Sequence, residues 1–201
     1  QRKSGGRLRK VIAMGCLTER YRQELAKEIP GVDRIFGTHQ LADVMKELGA
    51  VYDDALLGER LLTTPPHLAY LKISEGCDHP CSFCAIPLMR GKQRSRPVES
   101  IVAEAKRLAS EGVKEINLIS QDTINYGVDL GLRQGLVQLL RELVKVEKLR
   151  WIRPFYLYPQ QVTDDLLDLY AGEEKITKYI DMPLQHINDR MLKRMRRVGD
   201  R

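Results

Sequence analysis

The chain has 201 residues, 43% of them hydrophobic, with 33 basic against 27 acidic side chains and a formal net charge of +6. This composition supports a globular core and argues against a disordered chain. No apolar stretch approaches the ~20 residues that span a bilayer, so we expect a soluble cytoplasmic protein with no membrane partner. The positive charge favours an anionic partner such as RNA or a ribosome without identifying one.

The first fifty residues alternate short apolar runs with amphipathic stretches. Strand-like and helical patterns follow one another at 10–14, 18–29, 32–36 and 39–48. This alternation predicts that residues 1–52 form part of a small α/β domain. Glycine and a Thr-Thr-Pro-Pro sequence then mark 53–66 as a linker.

From residue 67 to 201 the chain settles into a regular rhythm of strands and helices. The predicted strands are 69–74, 115–120, 149–158 and 178–182, and the predicted helices are 97–112, 136–144, 163–170 and 188–197. Strands separated by helices imply parallel pairing through right-handed crossovers. The pattern fits either a doubly wound sheet or part of a β/α barrel, and in both the chemistry gathers at the carboxyl ends of the strands.

Polar and cysteine residues follow each of these four strands. Cys77 comes after the first, Gln121 and Asp122 after the second, 156–159 closes the third, and 185–186 follows the fourth. Because the carboxyl ends of parallel strands meet at one edge, we expect these residues to form one site.

Three of the four cysteines lie within eight residues, and this clustering is typical of metal ligands rather than of two disulfides. Cys77, Cys81 and Cys84 have the spacing CxxxCxxC. Three thiolates can hold three irons of a 4Fe-4S cluster and leave one iron open for substrate. Structural zinc, with His79 or a distant residue as a fourth ligand, is the alternative, but the paired knuckles usual for such zinc sites are absent.

A CxxxCxxC loop after the first strand of a β/α series resembles the signature of the radical S-adenosylmethionine (SAM) superfamily. Further residues resemble its methylthiotransferases: Glu75-Gly76-Cys77, Arg90-Gly91, Ser95-Arg96-Pro97, Ser120-Gln121-Asp122-Thr123, Tyr126-Gly127 and Pro183-Leu184-Gln185-His186. The resemblance implies a partial radical SAM β/α barrel, with about four of six units. It also implies a 4Fe-4S cluster and SAM as cofactors.

The same resemblance implies roles for four further residues. Phe83 would lie beside the SAM adenine, although an aromatic there could also fill the core. Gln121 and Asp122 would bind SAM, although either could simply cap a turn. Cys16 would be one ligand of a second 4Fe-4S cluster whose other cysteines are missing from this chain; taken alone, it would be core packing.

Three sequence segments, 77–80, 120–123 and 156–159, resemble the branch that modifies an aspartate in a small-subunit ribosomal protein. We therefore expect methylthiolation of an aspartate β-carbon, with that ribosomal protein and an electron donor as partners and with RNA contact through the ribosome. The alternatives are methylthiolation of a tRNA adenosine and a zinc- or RNA-binding protein without activity. Because the family barrel has six strands, we expect the 201-residue chain alone to be inactive.

Overall fold

The computed structural model describes residues 6, 8–51 and 61–197, so most of the predicted linker lies outside the described residues. The described residues divide into two compact units. Unit 1 contains the residues up to 51 together with 85–91, and unit 2 contains 61–84 and 92–197. The division of the chain into domains at 53–66 stays a prediction.

Unit 1 contains a pair of parallel strands and four short helices. Its elements are β1 Ile12–Met14, α1 Cys16–Arg20, α2 Arg22–Glu28, β2 Arg34–Phe36, α3 Leu41–Glu47 and α4 Ile86–Arg90. Ala13 of β1 pairs with Ile35 of β2. The single helix predicted over 18–29 is divided at Tyr21, whose ψ of 34° is not helical.

Unit 2 carries the regular strand and helix alternation that the sequence predicts. Its elements are β3 Leu68–Lys72, β4 Ser74–Glu75, β5 Arg94–Ser95, α5 Val98–Ser110, β6 Glu115–Ile119, α6 Gly135–Leu143, β7 Trp151–Pro154, α7 Asp164–Gly172 and α8 Asp189–Arg194. Thr163 caps α7, and its side chain accepts a hydrogen bond from the Leu166 amide.

The main sheet of unit 2 is parallel and has the order β3-β6-β7. Leu71 pairs with Leu118, and Leu118 pairs with Pro154. Alternate strand residues face the helices and are buried with them in one apolar core, whose most buried members include Ala69, Leu71, Ile101, Leu108, Ile116, Leu118, Leu139, Leu140 and Ile152. The parallel pairing places the ends of all three strands at one edge.

The fourth predicted strand, 178–182, does not form. The chain makes only an isolated parallel bridge between Ile152 and Ile176. Beyond it, the Asp181 carboxylate accepts a hydrogen bond from the Tyr156 amide, and the Asp181 carbonyl accepts one from the Leu157 amide. These groups therefore bond to the loop after β7 rather than to β7 itself. No helix in the described parts of the chain has both the length and the apolar character needed to cross a membrane.

Gly135, the first residue of α6, is enclosed by the turn that precedes the helix. A Cβ added there would lie 2.2 Å from the Tyr126 carbonyl oxygen and 3.0 Å from the Gly127 Cα. Gly135→Ala should therefore lower the free energy of unfolding by about 1–3 kcal/mol, measured by urea denaturation. Gly172→Ala is the control, because a Cβ at Gly172 meets no atom within 4 Å; equal losses in both variants would contradict the packing argument.

Candidate metal centre

The cysteine loop begins directly after β4, at the carboxyl edge of the main sheet. Cys77 is buried, whereas Cys81 and Cys84 are partly exposed. Gly76 has a φ of 84°, a backbone conformation that glycine adopts without strain and that turns the chain into the loop. The Cys84 amide donates a hydrogen bond to the Cys81 carbonyl, which closes a tight turn between the two.

The Cys77 thiol is electrostatically linked to the other residues of the site. The pKa of this thiol is raised to about 11, mainly by burial and also by the charges of Asp122, Cys84 and Cys81, while a hydrogen bond from the His79 backbone amide partly offsets these effects. The assignment of the three cysteines as cluster ligands stays a prediction.

Hydrogen bonds from two other parts of unit 2 hold the cysteine loop. The Gly76 amide donates to Oε1 of Gln121 at 2.7 Å, at the end of β6. On the other side, the Ser82 amide donates to the Met195 carbonyl at 3.0 Å, and its hydroxyl donates to the Arg194 carbonyl at 3.1 Å. The loop is thus held by the end of β6 and by the end of α8.

Asp122 is a buried acid beside the loop, only 2% exposed. Its Oδ2 accepts a hydrogen bond of 2.5 Å from the Asn125 side chain and lies 2.9 Å from Nε2 of His79. The His79 approach lacks hydrogen-bond geometry. Within the described residues, His79 Nε2 and Asp122 Oδ1 are buried atoms without a hydrogen-bond partner. Donor atoms of Cys77, His79 and Asp122 all lie within 4.8 Å of one another.

Aromatic stacking fixes the His79 ring. The ring is stacked on Tyr158 with a centroid distance of 3.9 Å and an interplanar angle of 12°. The guanidinium of Arg197 lies 4.0 Å from the Tyr158 centroid and donates a hydrogen bond to the Pro183 carbonyl. Sequence reasoning treated His79 as an alternative zinc ligand and missed Arg197. Tyr158 could have been found, because it lies in the polar group at the end of the third predicted strand.

The other residues singled out in the sequence fall in different surroundings. Phe83 is 53% exposed, so it does not fill the core, and its place beside adenine stays a prediction. Gln185 has a φ of 67°, and His186 accepts a hydrogen bond from the Asn188 amide at the start of α8. Cys16 is partly buried in unit 1, where it begins α1.

The basic segment 90–96 contributes an ion pair to the fold. Arg96 donates hydrogen bonds to the Lys72 carbonyl and to the largely buried carboxylate of Glu104, at 2.8 and 2.7 Å. This contact ties the segment to β3 and α5. Arg96 therefore has a structural role.

The face of the main sheet opposite the helices carries polar side chains among apolar ones. Arg153 donates a hydrogen bond to Glu115 at 2.8 Å across β6 and β7. Asn117, which pairs with Arg153, is 5% exposed, and its Oδ1 has no hydrogen-bond partner among the described residues. Such groups suit a polar ligand better than an apolar core.

Residues 71–201 match the model of the radical SAM superfamily. The chain belongs to this superfamily. Its mixed α/β architecture with a parallel sheet agrees with the predicted partial β/α barrel, and both the superfamily and the fold class are confirmed.

Solved structures support the same fold. The cobalamin-dependent SAM radical enzyme OxsB matches 94% of this chain and 33% of its own, with a TM-score of 0.63 at 14% identity. The radical SAM methyltransferase TsrM from Kitasatospora setae matches 71% of this chain and 29% of its own, with a TM-score of 0.54 at 19% identity. At these identities the likeness concerns the fold alone.

Curated relatives are much closer in sequence. The chain is 56% identical over 98% of its length to the ribosomal protein uS12 methylthiotransferase RimO of Flavobacterium johnsoniae. It is 53% identical over 96% of its length to the RimO protein of Aquifex aeolicus. The chain spans 45% and 44% of these two relatives.

The Gly76 to Gln121 hydrogen bond should matter for cluster retention. Gln121→Ala in the full-length protein should loosen the loop by about 1 kcal/mol, a roughly fivefold loss in cluster retention. Gln121→Glu keeps an oxygen acceptor and should retain more iron. Gln138→Ala, which removes an exposed hydrogen bond on α6, is the control. Iron per protein after anaerobic reconstitution is the measurement, and equal iron in Gln121→Ala and wild type would contradict the anchoring role.

Burial should make Cys77 the slowest of the three loop cysteines to react with iodoacetamide in the apo protein. Its raised pKa leaves little thiolate near pH 8, and only the thiolate reacts. Its rate should therefore climb as the pH rises toward 11. Peptide mass spectrometry after timed alkylation measures each site, and faster modification of Cys77 than of Cys81 would refute this order.

Proposed function

We propose that this chain is the cluster-binding part of a methylthiotransferase that modifies an aspartate β-carbon of ribosomal protein uS12. The observation that carries the proposal is the three-cysteine loop at the carboxyl edge of a parallel sheet. Identities of 50–56% to uS12 methylthiotransferases from several bacteria support the substrate class.

The donor set fits a 4Fe-4S cluster that also binds SAM. Cys77, Cys81 and Cys84 supply three thiolates, one fewer than the four irons, so one iron would be left for SAM. When bound, the cluster supplies the electron that cleaves SAM and starts radical chemistry. A radical route suits this substrate because an aspartate β C–H bond is too weakly acidic for a side-chain base.

Residues of the site would then bind and orient SAM. Phe83 precedes Cys84 and exposes half of its surface, which supports a stacking role beside the adenine. Oε1 of Gln121 accepts a hydrogen bond from the Gly76 amide, so the side-chain nitrogen of Gln121 would be the group that donates to the SAM ribose. The second carboxylate oxygen of Asp122, without a hydrogen-bond partner among the described residues, would accept from the SAM ammonium group.

Cys16 would ligate a second 4Fe-4S cluster together with cysteines outside this chain, as the family resemblance implies. The reaction also requires an external electron donor, and a ribosomal substrate places the enzyme in the cytoplasm. RNA contact would follow from docking on the ribosome.

Cys81→Ser in the full-length enzyme tests the proposal. The wild type, reconstituted anaerobically with SAM, a reductant and uS12, should add one methylthio group to an aspartate, seen by mass spectrometry of the uS12 peptides. Cys81→Ser should abolish both this mass gain and SAM cleavage, because a ligand is lost. Gln138→Ala, which removes an exposed hydrogen bond on α6 outside the site, should stay active.

Two results would overturn the proposal. Methylthiolation of tRNA in place of uS12 would assign the substrate to the tRNA branch. Retained SAM cleavage in Cys81→Ser would show that the loop does not hold the cluster.

A further inference from the structure

Asp122 is a buried charge with few partners. Its side chain is 1% exposed, and the only basic side chain recorded within 4 Å of its carboxylate in the described residues is His79. Burial of a carboxylate is costly unless a cation or several hydrogen bonds compensate it. Asn125 donates one such bond to Oδ2, and Oδ1 has none among the described residues. Among the described residues, the Asp122 carboxylate therefore lacks a cation that would fully compensate its burial.

The neighbouring donors complete a set that suits a divalent cation. Cys77 Sγ, His79 Nε2 and a carboxylate oxygen of Asp122 lie within 4.8 Å of one another. Around a tetrahedral zinc ion such donors are roughly 3.3–3.8 Å apart, as follows from metal–ligand distances of about 2.0–2.3 Å. Shifts of about 1 Å would bring the three to that spacing. One thiolate and one carboxylate would neutralise a +2 charge.

Contacts with neighbouring side chains hold two of these donors in place. Stacking on Tyr158 fixes the plane of the His79 ring, and the Asn125 side chain orients the Asp122 carboxylate. Outer contacts of this kind are typical of metal sites, because they fix the direction of each ligand. Sulfur, imidazole and carboxylate together favour zinc over magnesium or calcium, which prefer oxygen alone.

We propose that the protein without its cluster binds one zinc-type cation through Cys77, His79 and Asp122. This cation site differs from the three-cysteine site and shares only Cys77 with it. The two occupants therefore exclude each other, a consequence that rests on the proposed cluster function. A zinc-loaded protein cannot take up the 4Fe-4S cluster until the cation leaves.

Co²⁺ and Zn²⁺ binding to the full-length apo protein tests the site. Every protein in the comparison carries Cys16→Ser, so that the N-terminal cysteines contribute a constant background. Co²⁺ reports thiolate ligation through its absorption, and Zn²⁺ affinity follows by competition against a chromophoric chelator. The double variant Cys81→Ser/Cys84→Ser should still bind one cation, with absorption expected for a single thiolate.

Removing a non-sulfur donor should weaken that binding. His79→Phe keeps an aromatic ring to stack on Tyr158 but has no nitrogen ligand, so the affinity for Zn²⁺ should fall at least tenfold. Asp122→Asn should give a loss of the same order. Lys106→Ala, which changes an exposed side chain of α5, should leave the affinity unchanged, and circular dichroism checks that each variant is folded.

The outcomes separate this inference from the proposed function. Loss of cation binding in Cys81→Ser/Cys84→Ser would show a three-cysteine zinc site and would overturn the proposal, as would unchanged affinity in His79→Phe. Iron uptake by wild type during anaerobic reconstitution is measured separately. Excess Zn²⁺ added first should slow that uptake in wild type, and less so in His79→Phe; equal slowing in both would also overturn the proposal. Failure of wild type to take up iron at all would count against the cluster and not against the cation site.

Discussion

Parallel pairing of β3 with β6 and of β6 with β7 is the constraint on which the rest of unit 2 depends. It brings the ends of three strands to one edge, although the chain between them runs through whole helices. Cys77, Asp122 and Tyr158 are far apart in the sequence, and each follows one of these strands. Their meeting is therefore a result of topology rather than of local sequence, and a change of strand order would disperse the site.

The cysteine loop at this edge needs contacts from other parts of the chain to hold its conformation, because it has little apolar surface of its own. Gln121 at the end of β6 binds the start of the loop, and the carbonyls of Arg194 and Met195 bind its middle. Stacking of His79 on Tyr158 adds a third contact from the end of β7. The ends of β6, β7 and α8 thus each contribute one restraint on the cysteine loop. Pre-organisation of this kind lowers the ordering cost when a metal group binds.

The sequence predicted the parts of this arrangement that depend on local pattern. Spacing singled out Cys77, Cys81 and Cys84, whose role as ligands stays a prediction, and alternation predicted β3 and β6 with boundaries close to those observed. The edge placement of Gln121 also followed, because a residue after a parallel strand must lie there. The observed Gln121 contact with the Gly76 amide did not, since a side-chain hydrogen bond across 45 residues depends on rotamers and register that no spacing encodes.

Failures of prediction had definite physical causes. The segment 178–182 has the apolar character of a strand, but Asp181 directs its hydrogen bonds to the turn after β7. The helix predicted over 18–29 is divided because Tyr21 leaves the helical conformation. In both cases periodicity could not show which partners the backbone groups would choose.

The two faces of the main sheet differ in the polarity of their side chains. Parallel sheets usually carry apolar residues on both faces, because both are covered. Here the face toward the helices is apolar, while Glu115, Asn117 and Arg153 add polar groups to the other face. A polar group such as Asn117 is costly to bury without a partner. Asn117 Oδ1 has no partner among the described residues, so this face suits a polar ligand better than further apolar packing.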